Sequence, residues 1–255
     1  MGKETGISWC HHTWNWIQGC AKVSPGCDNC YMFRDKARYG QDPTVVIRSK
    51  PHTFNAPLRW NREAKAAGVV RRVFVASWAD FFGAESDAWR DDAWAIIRQC
   101  DSLIFQVLTK RHGRIAAHLP SDWGAGYPNV WLGVSGEDQA WTDRRIAALA
   151  ELPAAVRWLS LEPQLDDVTI APWLASGSIG WVVQGGESGS NARPFRLEWA
   201  DRMREECAEH GATYFFKQAG SYALEYGGAR IPFLDRHGAD SGEWLPRYRA
   251  QEFPP

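Results

Sequence analysis

Residues 103–111 read LIFQVLTKR. A short run rich in Leu, Ile, Phe and Val gives way at once to Thr109, Lys110 and Arg111, and a stretch with helical spacing follows. An apolar run of strand length, a polar exit and then a helix is the layout of a βα unit. The same layout recurs on both sides. Strands are expected at Arg72 to Ser77 (RVFVAS), Leu103 to Leu108, Asn129 to Val134 (NVWLGV), Val156 to Leu161 (VRWLSL), Gly180 to Gln184 (GWVVQ) and Thr213 to Phe216 (TYFF). An earlier strand is expected at Ile7 to Trp9 or at Trp14 to Ile17. Helical spacing covers Asp87 to Gln99, Gly113 to His118, Gln139 to Ala150 and Leu197 to His210, the last closed by Gly211 as a natural C-cap. Continuous apolar strands alternating with helices describe a parallel sheet covered on both faces.

The polar residues fall just past the last apolar residue of each strand. The exits carry Ser77 and Asp80; Gln106, Thr109, Lys110 and Arg111; Ser135, Glu137 and Asp138; Ser160 and Glu162; Gln184 and Glu187; Lys217 and Gln218. Any one of these could cap a helix or finish a turn. Six exits aiming polar groups at one face favour a closed or partly closed α/β barrel, whose chemistry sits at the C-terminal ends of its strands. The segment 221–255, with Gly227-Gly228 and several prolines, reads as a loop-rich C-terminal extension.

The 255 residues, 45% of them hydrophobic, suffice for one large core. Twenty-nine Lys plus Arg against thirty Asp plus Glu leave a net charge of -1, so no global basic field points to nucleic acid or an anionic membrane. No stretch approaches a membrane span, and MGKETGISWCHH lacks the charged-then-apolar layout of a signal peptide, so a cytoplasmic protein is expected. Most of the fifteen tryptophans suit core packing, although a few could stack on bases or on an adenine ring.

In a reducing compartment six cysteines argue for metal or catalytic use rather than disulfides. Cys20, Cys27 and Cys30 form a C-x6-C-x2-C pattern, in which Ser24-Pro25-Gly26 makes a turn that can swing the first two thiolates together. Structural zinc needs a fourth protein ligand, to be found among Cys10, His11, His12, Cys207 or His210. A [4Fe-4S] cluster held by three cysteines needs none, because its fourth iron can take a non-protein ligand. The cluster is the favoured reading; zinc and reduced structural thiols remain alternatives. His11 and His12 are adjacent and would point to opposite faces of a strand. Cys100 and Cys207 lie in helical stretches and read as buried small hydrophobes.

The pieces TWNWIQGCAKVSPGCDNCY, RVFVASWADFF, FQVLTKR, PNVWLGVSGEDQ, RWLSLEP, VVQGGESGSNARP and FFKQAG, spread over residues 13–220, together resemble a phage-associated three-cysteine-motif family of unassigned function. That family in turn resembles the radical S-adenosylmethionine (SAM) enzymes, spore photoproduct lyase among them. The resemblance implies a partial (β/α)6 TIM-type barrel over residues 1–220, with a cluster loop at 18–33. It implies a [4Fe-4S] cluster on Cys20, Cys27 and Cys30 whose open iron binds SAM, and reductive cleavage of SAM to a 5'-deoxyadenosyl radical. The C-x6-C-x2-C loop is longer than the C-x3-C-x2-C of the larger group, and Tyr31 follows the last cysteine where that group has its aromatic just before it.

Carried over to this chain, Ser77 and Asp80 stand where the SAM ammonium is met. Ser135 and Glu137 stand where ribose hydroxyls or the SAM carboxyl are met, and Tyr31, Thr109 and Glu162 complete the cofactor-facing set. Glu187 and Lys217 are the catalytic candidates, and GGESG looks like an anion-binding turn. Lys110, Arg111, Arg114, Arg193 and Lys217 could hold the phosphates of a nucleotide or nucleic-acid substrate. An electron-donor protein, and a protein partner encoded nearby, are the expected macromolecular partners. The alternatives are a zinc-binding interaction protein without catalysis and a cluster protein that only transfers electrons.

Overall fold

The computed structural model describes residues 5–255. In chain order its strands and helices are β1 (His12–Trp14), β2 (Ile17–Gln18), α1 (Tyr31–Arg38), β3 (Ile47–Arg48), α2 (Pro51–Phe54), α3 (Ala56–Ala66), β4 (Arg71–Val75), α4 (Asp87–Arg98), β5 (Leu103–Thr109), β6 (Val130–Gly136), α5 (Gln139–Ala150), β7 (Val156–Leu161), α6 (Ala171–Ala175), β8 (Trp181–Gly185), β9 (Phe195–Arg196), α7 (Leu197–Glu209), β10 (Thr213–Gln218) and β11 (Ala223–Leu224). The main sheet is wholly parallel in the order β1-β4-β5-β6-β7-β8-β10. It curls into a half-barrel, and among the described residues β10 does not pair with β1.

The six long strands lie within two residues of where their apolar runs place them. The sheet has seven strands, the six long ones and the earlier strand, β1, which forms between the two positions expected for it and shares only Trp14, opposite Val75, with the second. The helix expected over Gly113 to His118 is instead two single 3-10 turns, His112–Arg114 and Ala116–His118. Six residues containing a glycine are too few to offset the cost of nucleating an α-helix. α1 and α3, which the sequence reading left without an element, pack Met32 and Trp60 inward.

Alternate strand residues divide the interior into two clusters, as period-two geometry requires. One face buries Val73, Val75, Phe105, Val107, Leu132, Val134, Leu159, Val182 and Phe216 against the helices. The other lines the barrel, where Trp9, Phe74, Trp131, Trp158, Trp181, Val183 and Phe215 form a separate buried cluster. Their rings meet at centroid distances of 4.5 Å (Trp9–Phe74), 5.4 Å (Trp9–Trp158) and 5.2 Å (Trp158–Trp181). This aromatic layer fills one level of the half-barrel and confines open space to the strand exits.

The C-terminal segment is integral to this arrangement. Phe216 N–H donates to Ala250 O and Glu252 N–H to Tyr214 O, so the tail shields the free edge of β10. Phe253 then packs on Trp181, and Arg72 lies over its ring at 3.6 Å. Trp244 and Tyr248 join the helix-side core.

Gly133 on β6 is the one place in the aromatic layer where the backbone must be bare: a Cβ there would enter the ring of Trp158. Gly133→Ala should therefore lower stability by about 1–3 kcal/mol through overpacking. The urea midpoint followed by tryptophan fluorescence measures it.

Candidate metal and cofactor site

A cavity of about 630 Å³ opens at the C-terminal ends of the strands, and Cys20, Cys27 and Cys30 all line it. The segment carrying them leaves β2 at Gln18, makes a 3-10 turn at Pro25–Cys27 and enters α1 directly after Cys30. Ser77, Asp80, Thr109, Ser135, Glu162, Glu187, Lys217 and Tyr31 border the same space. The geometry of these groups divides them into those that hold the loop and those that face the cavity.

Glu137 is the firmest hold. Its side chain is fully buried, and it accepts hydrogen bonds from Ser24 Oγ (2.6 Å) and Gly26 N–H (2.7 Å) of the cysteine loop. Lys110 Nζ (2.5 Å) and Arg145 Nη1 (2.9 Å) balance its charge, and Arg145 also donates to Ser24 Oγ. Burial opposes ionisation, but Lys110, Ser24 and Arg145 outweigh it and bring the carboxyl down to about 2. Gly26 has to be a glycine, because a Cβ there would occupy the position of the Glu137 carboxylate.

A second hold comes from the exit of β8. Glu187 accepts from Asn29 Nδ2 (2.9 Å) and from Arg193 Nη2 (2.6 Å), while Arg193 also donates to Pro25 O (3.0 Å). Burial works against the Glu187 charge, and the Arg193 and Asn29 bonds hold its carboxyl below the usual range. The glycines of GGESG serve close packing here: Gly186 lies against Ala219 O and Gly189 against Arg34. Several amides of this turn already have acceptors, Gly186 N–H on Gln218 O and Gly189 N–H on Ser221 Oγ among them.

The third hold is at the exits of β4 and β5. Asp80 accepts from Thr109 Oγ1 (2.6 Å), Lys110 N–H (2.9 Å) and Phe82 N–H (3.0 Å), and pairs with Arg111 at 3.0 Å. Arg111 reaches the loop through Ala21 O (3.0 Å) and Cys20 Sγ (3.6 Å). Burial first, and then Asp80, push the Cys20 thiol up to about 11, with Arg111 opposing both. Tyr31 OH donates to Ser77 O (2.5 Å), and Ser77 Oγ to Asn15 Oδ1 (3.1 Å). Just before them Ala76 takes φ +59°, a left-handed conformation rare outside glycine, where the chain turns away from β4.

Asp80, Thr109, Glu137 and Glu187 thus have partners within the protein that fix the cysteine loop. Ser135, Ser160 and the Lys217–Glu162 ion pair (2.6 Å) also line the cavity. Arg145, which the sequence reading did not single out, is as central as any of them. Its signal was an arginine on the apolar face of α5 beside Thr142, Ile146 and Leu149. Arg114 pairs with Asp87, away from the cavity. Cys10 belongs to the aromatic cluster, and Cys100 and Cys207 to the helix-side core. His11 and His12 part company: His11 Nδ1 accepts from Arg72 N–H, while the His12 ring stacks on Trp60.

Among the described residues no three His, Cys, Asp or Glu side chains converge tightly enough to hold a single metal ion. The donor set fits a larger group. Cys20, Cys27 and Cys30 all line one cavity of about 630 Å³, and three thiols are the donor set that a cluster with one iron free for a small-molecule ligand would use.

A parallel α/β half-barrel with three cysteines on a loop at its C-terminal mouth is the class that fold and site define. The chain belongs to the family described as protein of unknown function (DUF5131), whose model matches residues 4–249. Among solved structures it is similar to spore photoproduct lyase complexed with dinucleoside spore photoproduct, at a TM-score of 0.57 and 12% sequence identity, over 84% of this chain and 79% of that one. That likeness is one of fold. Among curated proteins none matches the chain in sequence. No described helix is long and apolar enough to cross a membrane.

Glu137→Gln keeps the shape of the anchor and leaves Lys110 and Arg145 uncompensated, so it should destabilise the fold by about 3–5 kcal/mol. Because the folded carboxyl is depressed, its contribution is complete above pH 4.5 and is lost as pH falls through about 2. Urea midpoints measured across that window should fall more steeply toward acid in the parent than in the variant, which keeps only the acid limb of the other depressed carboxylates, Glu187 among them.

Proposed function

We propose that this protein is an iron-sulfur enzyme of the radical SAM type that acts on a nucleotide or nucleic acid. The observation that carries the reading is the placement of Cys20, Cys27 and Cys30 on the wall of the strand-exit cavity, in a fold similar to that of spore photoproduct lyase. When bound, a [4Fe-4S] cluster and SAM would supply reductive cleavage of the C5'–S bond and a 5'-deoxyadenosyl radical able to take hydrogen from a substrate. The chain itself has to hold the iron, orient SAM, exclude water and place one C–H bond.

Cys20, Cys27 and Cys30 are the iron ligands. Because Asp80, Thr109 and Glu137 are engaged in holding the loop and the Ser77 hydroxyl donates to Asn15, contact with SAM passes chiefly to the ring of Tyr31, to Ser135 and to Glu162. Ser135 is 3% exposed on the cavity wall, placed to bond a hydroxyl or carboxylate. Lys217, paired with Glu162, is the substrate-side cation. Below them the aromatic layer excludes water, with Trp9 and Phe74 lining both the layer and the cavity. The nucleotide class of substrate is supported by the dinucleoside bound to the similar lyase. The reading brings with it an electron-donor protein and a cytoplasmic setting, and a partner encoded nearby would fit both.

The test is anaerobic reconstitution of the full chain with iron and sulfide. A brown protein whose broad visible absorption bleaches with dithionite, and which forms 5'-deoxyadenosine from SAM, is the expected result. Cys27→Ala should lose iron and product together. A colourless protein with stoichiometric zinc would establish the interaction-protein alternative, and a cluster that leaves SAM intact would establish electron transfer alone. Ser135→Ala should keep its iron and weaken SAM binding by about 0.5–1.5 kcal/mol, the worth of one hydrogen bond, read by calorimetry.

A further inference from the structure

Among the described residues, Cys20 alone of the three cysteines is given a cationic hydrogen-bond donor. Arg111 Nη1 stands 3.6 Å from its Sγ, whereas Cys27 Sγ meets the neutral hydroxyl of Ser24 at 3.8 Å. The guanidinium is also tightly fixed. Its side chain is 11% exposed, Nη1 pairs with Asp80 Oδ2 at 3.0 Å, Nη2 donates to Ala21 O at 3.0 Å, and its own N–H donates to Thr109 Oγ1. Asp80 is held in turn by the hydroxyl of Thr109 and the amides of Phe82 and Lys110.

We propose that Arg111 is a positioning residue that sets the electron affinity of the iron-sulfur cluster through an N–H···S bond to Cys20; the inference rests on the cluster reading above. Reduction adds one electron and one unit of negative charge to a cluster, part of which resides on the cysteine sulfurs. A donor aimed at one of those sulfurs stabilises the reduced form more than the oxidised form and raises the potential. Asp80 offsets the net charge of Arg111, so what acts on the sulfur is the directed N–H bond. Burial at low dielectric strengthens that bond, and its fixed geometry would spare it reorganisation when an electron arrives. The arrangement also distinguishes the cysteines: an iron held by Cys20 would be the one whose thiolate meets a cationic donor from the protein.

The experiment compares the parent chain with Arg111→Met and Arg111→Gln after anaerobic reconstitution. It measures iron and sulfide content and a mediated redox titration followed by electron paramagnetic resonance. Iron content should match the parent. At a fixed potential the reduced-to-oxidised ratio should fall about tenfold in Arg111→Met, about 59 mV for one electron, and by less in Arg111→Gln, which keeps a neutral donor. A variant that holds its iron and titrates with the parent overturns the inference. If the Met variant fails to hold iron, the Gln variant decides on the same criterion, and loss of iron from both overturns it, since Arg111 would then only brace the loop. A parent chain that takes up no cluster defeats the cluster reading itself; an iron-loaded parent with unmoved variants removes only the role of Arg111.

Discussion

Glu137 carries a charge with no access to water, and such a charge persists only where cations and N–H donors replace the lost hydration. Lys110 comes from the exit of β5, Arg145 from the middle of α5, and Ser24 and Gly26 from the cysteine loop. Satisfying one carboxylate therefore joins three parts of the chain that are distant in sequence. The loop cannot leave without exposing Lys110 and uncovering a buried ion pair. Regular secondary structure holds almost none of this loop, apart from one 3-10 turn and the start of α1, so side-chain bonds have to position its thiols. Glu187 with Arg193 and Asp80 with Arg111 repeat the solution on either side.

The aromatic layer is the complement of that polar rim. A half-barrel of seven strands leaves an interior that small side chains would not fill, and unfilled space forfeits dispersion contacts. Tryptophans from β6, β7 and β8, joined by Trp9 from the N-terminal segment and Phe253 from the tail, close it. Trp9, Trp131, Trp158 and Trp181 serve this layer, whereas Trp14, Trp16, Trp60, Trp94, Trp123 and Trp244 pack in the helix-side core, and among the described residues Trp9 and Trp78 are the tryptophans that border the cavity. With one level packed solid, a ligand entering the mouth meets an apolar floor and polar walls.

The strands were legible because each is a continuous apolar run, and the walls of the site were legible because polar residues follow those runs at once. What the side chains do there was not legible. Asp80 and Glu137 look alike in sequence to residues awaiting a ligand, and only the register of β5 against β6 and the facing of α5 reveal that their partners are internal. β1 escaped accurate placement because its three residues, His12 to Trp14, lie between Trp9 and Trp16 in an apolar pattern without an edge. The stretch after Arg111 has helical spacing but is too short to propagate, which is why it resolves into 3-10 turns.

Holding the loop from the strand exits has a consequence for what the cavity can recognise. Polar groups spent on the loop are withdrawn from a ligand, so on the proposed reading recognition would fall on the cavity-lining positions of β6 and β10 and on the exit of β7. There Lys217 and Glu162 already satisfy each other at 2.6 Å, with side chains 22% and 15% exposed. A ligand that engages either one has to replace the bond it interrupts, or leave a partly buried charge unpaired. An apolar group cannot do so. A molecule offering an acceptor to Lys217 and a donor to Glu162 on one edge can, and the edges of nucleobases and the head of an amino acid both have that form. On the proposed reading, the pair that keeps the wall neutral would thereby favour ligands whose polar edge carries both kinds of group.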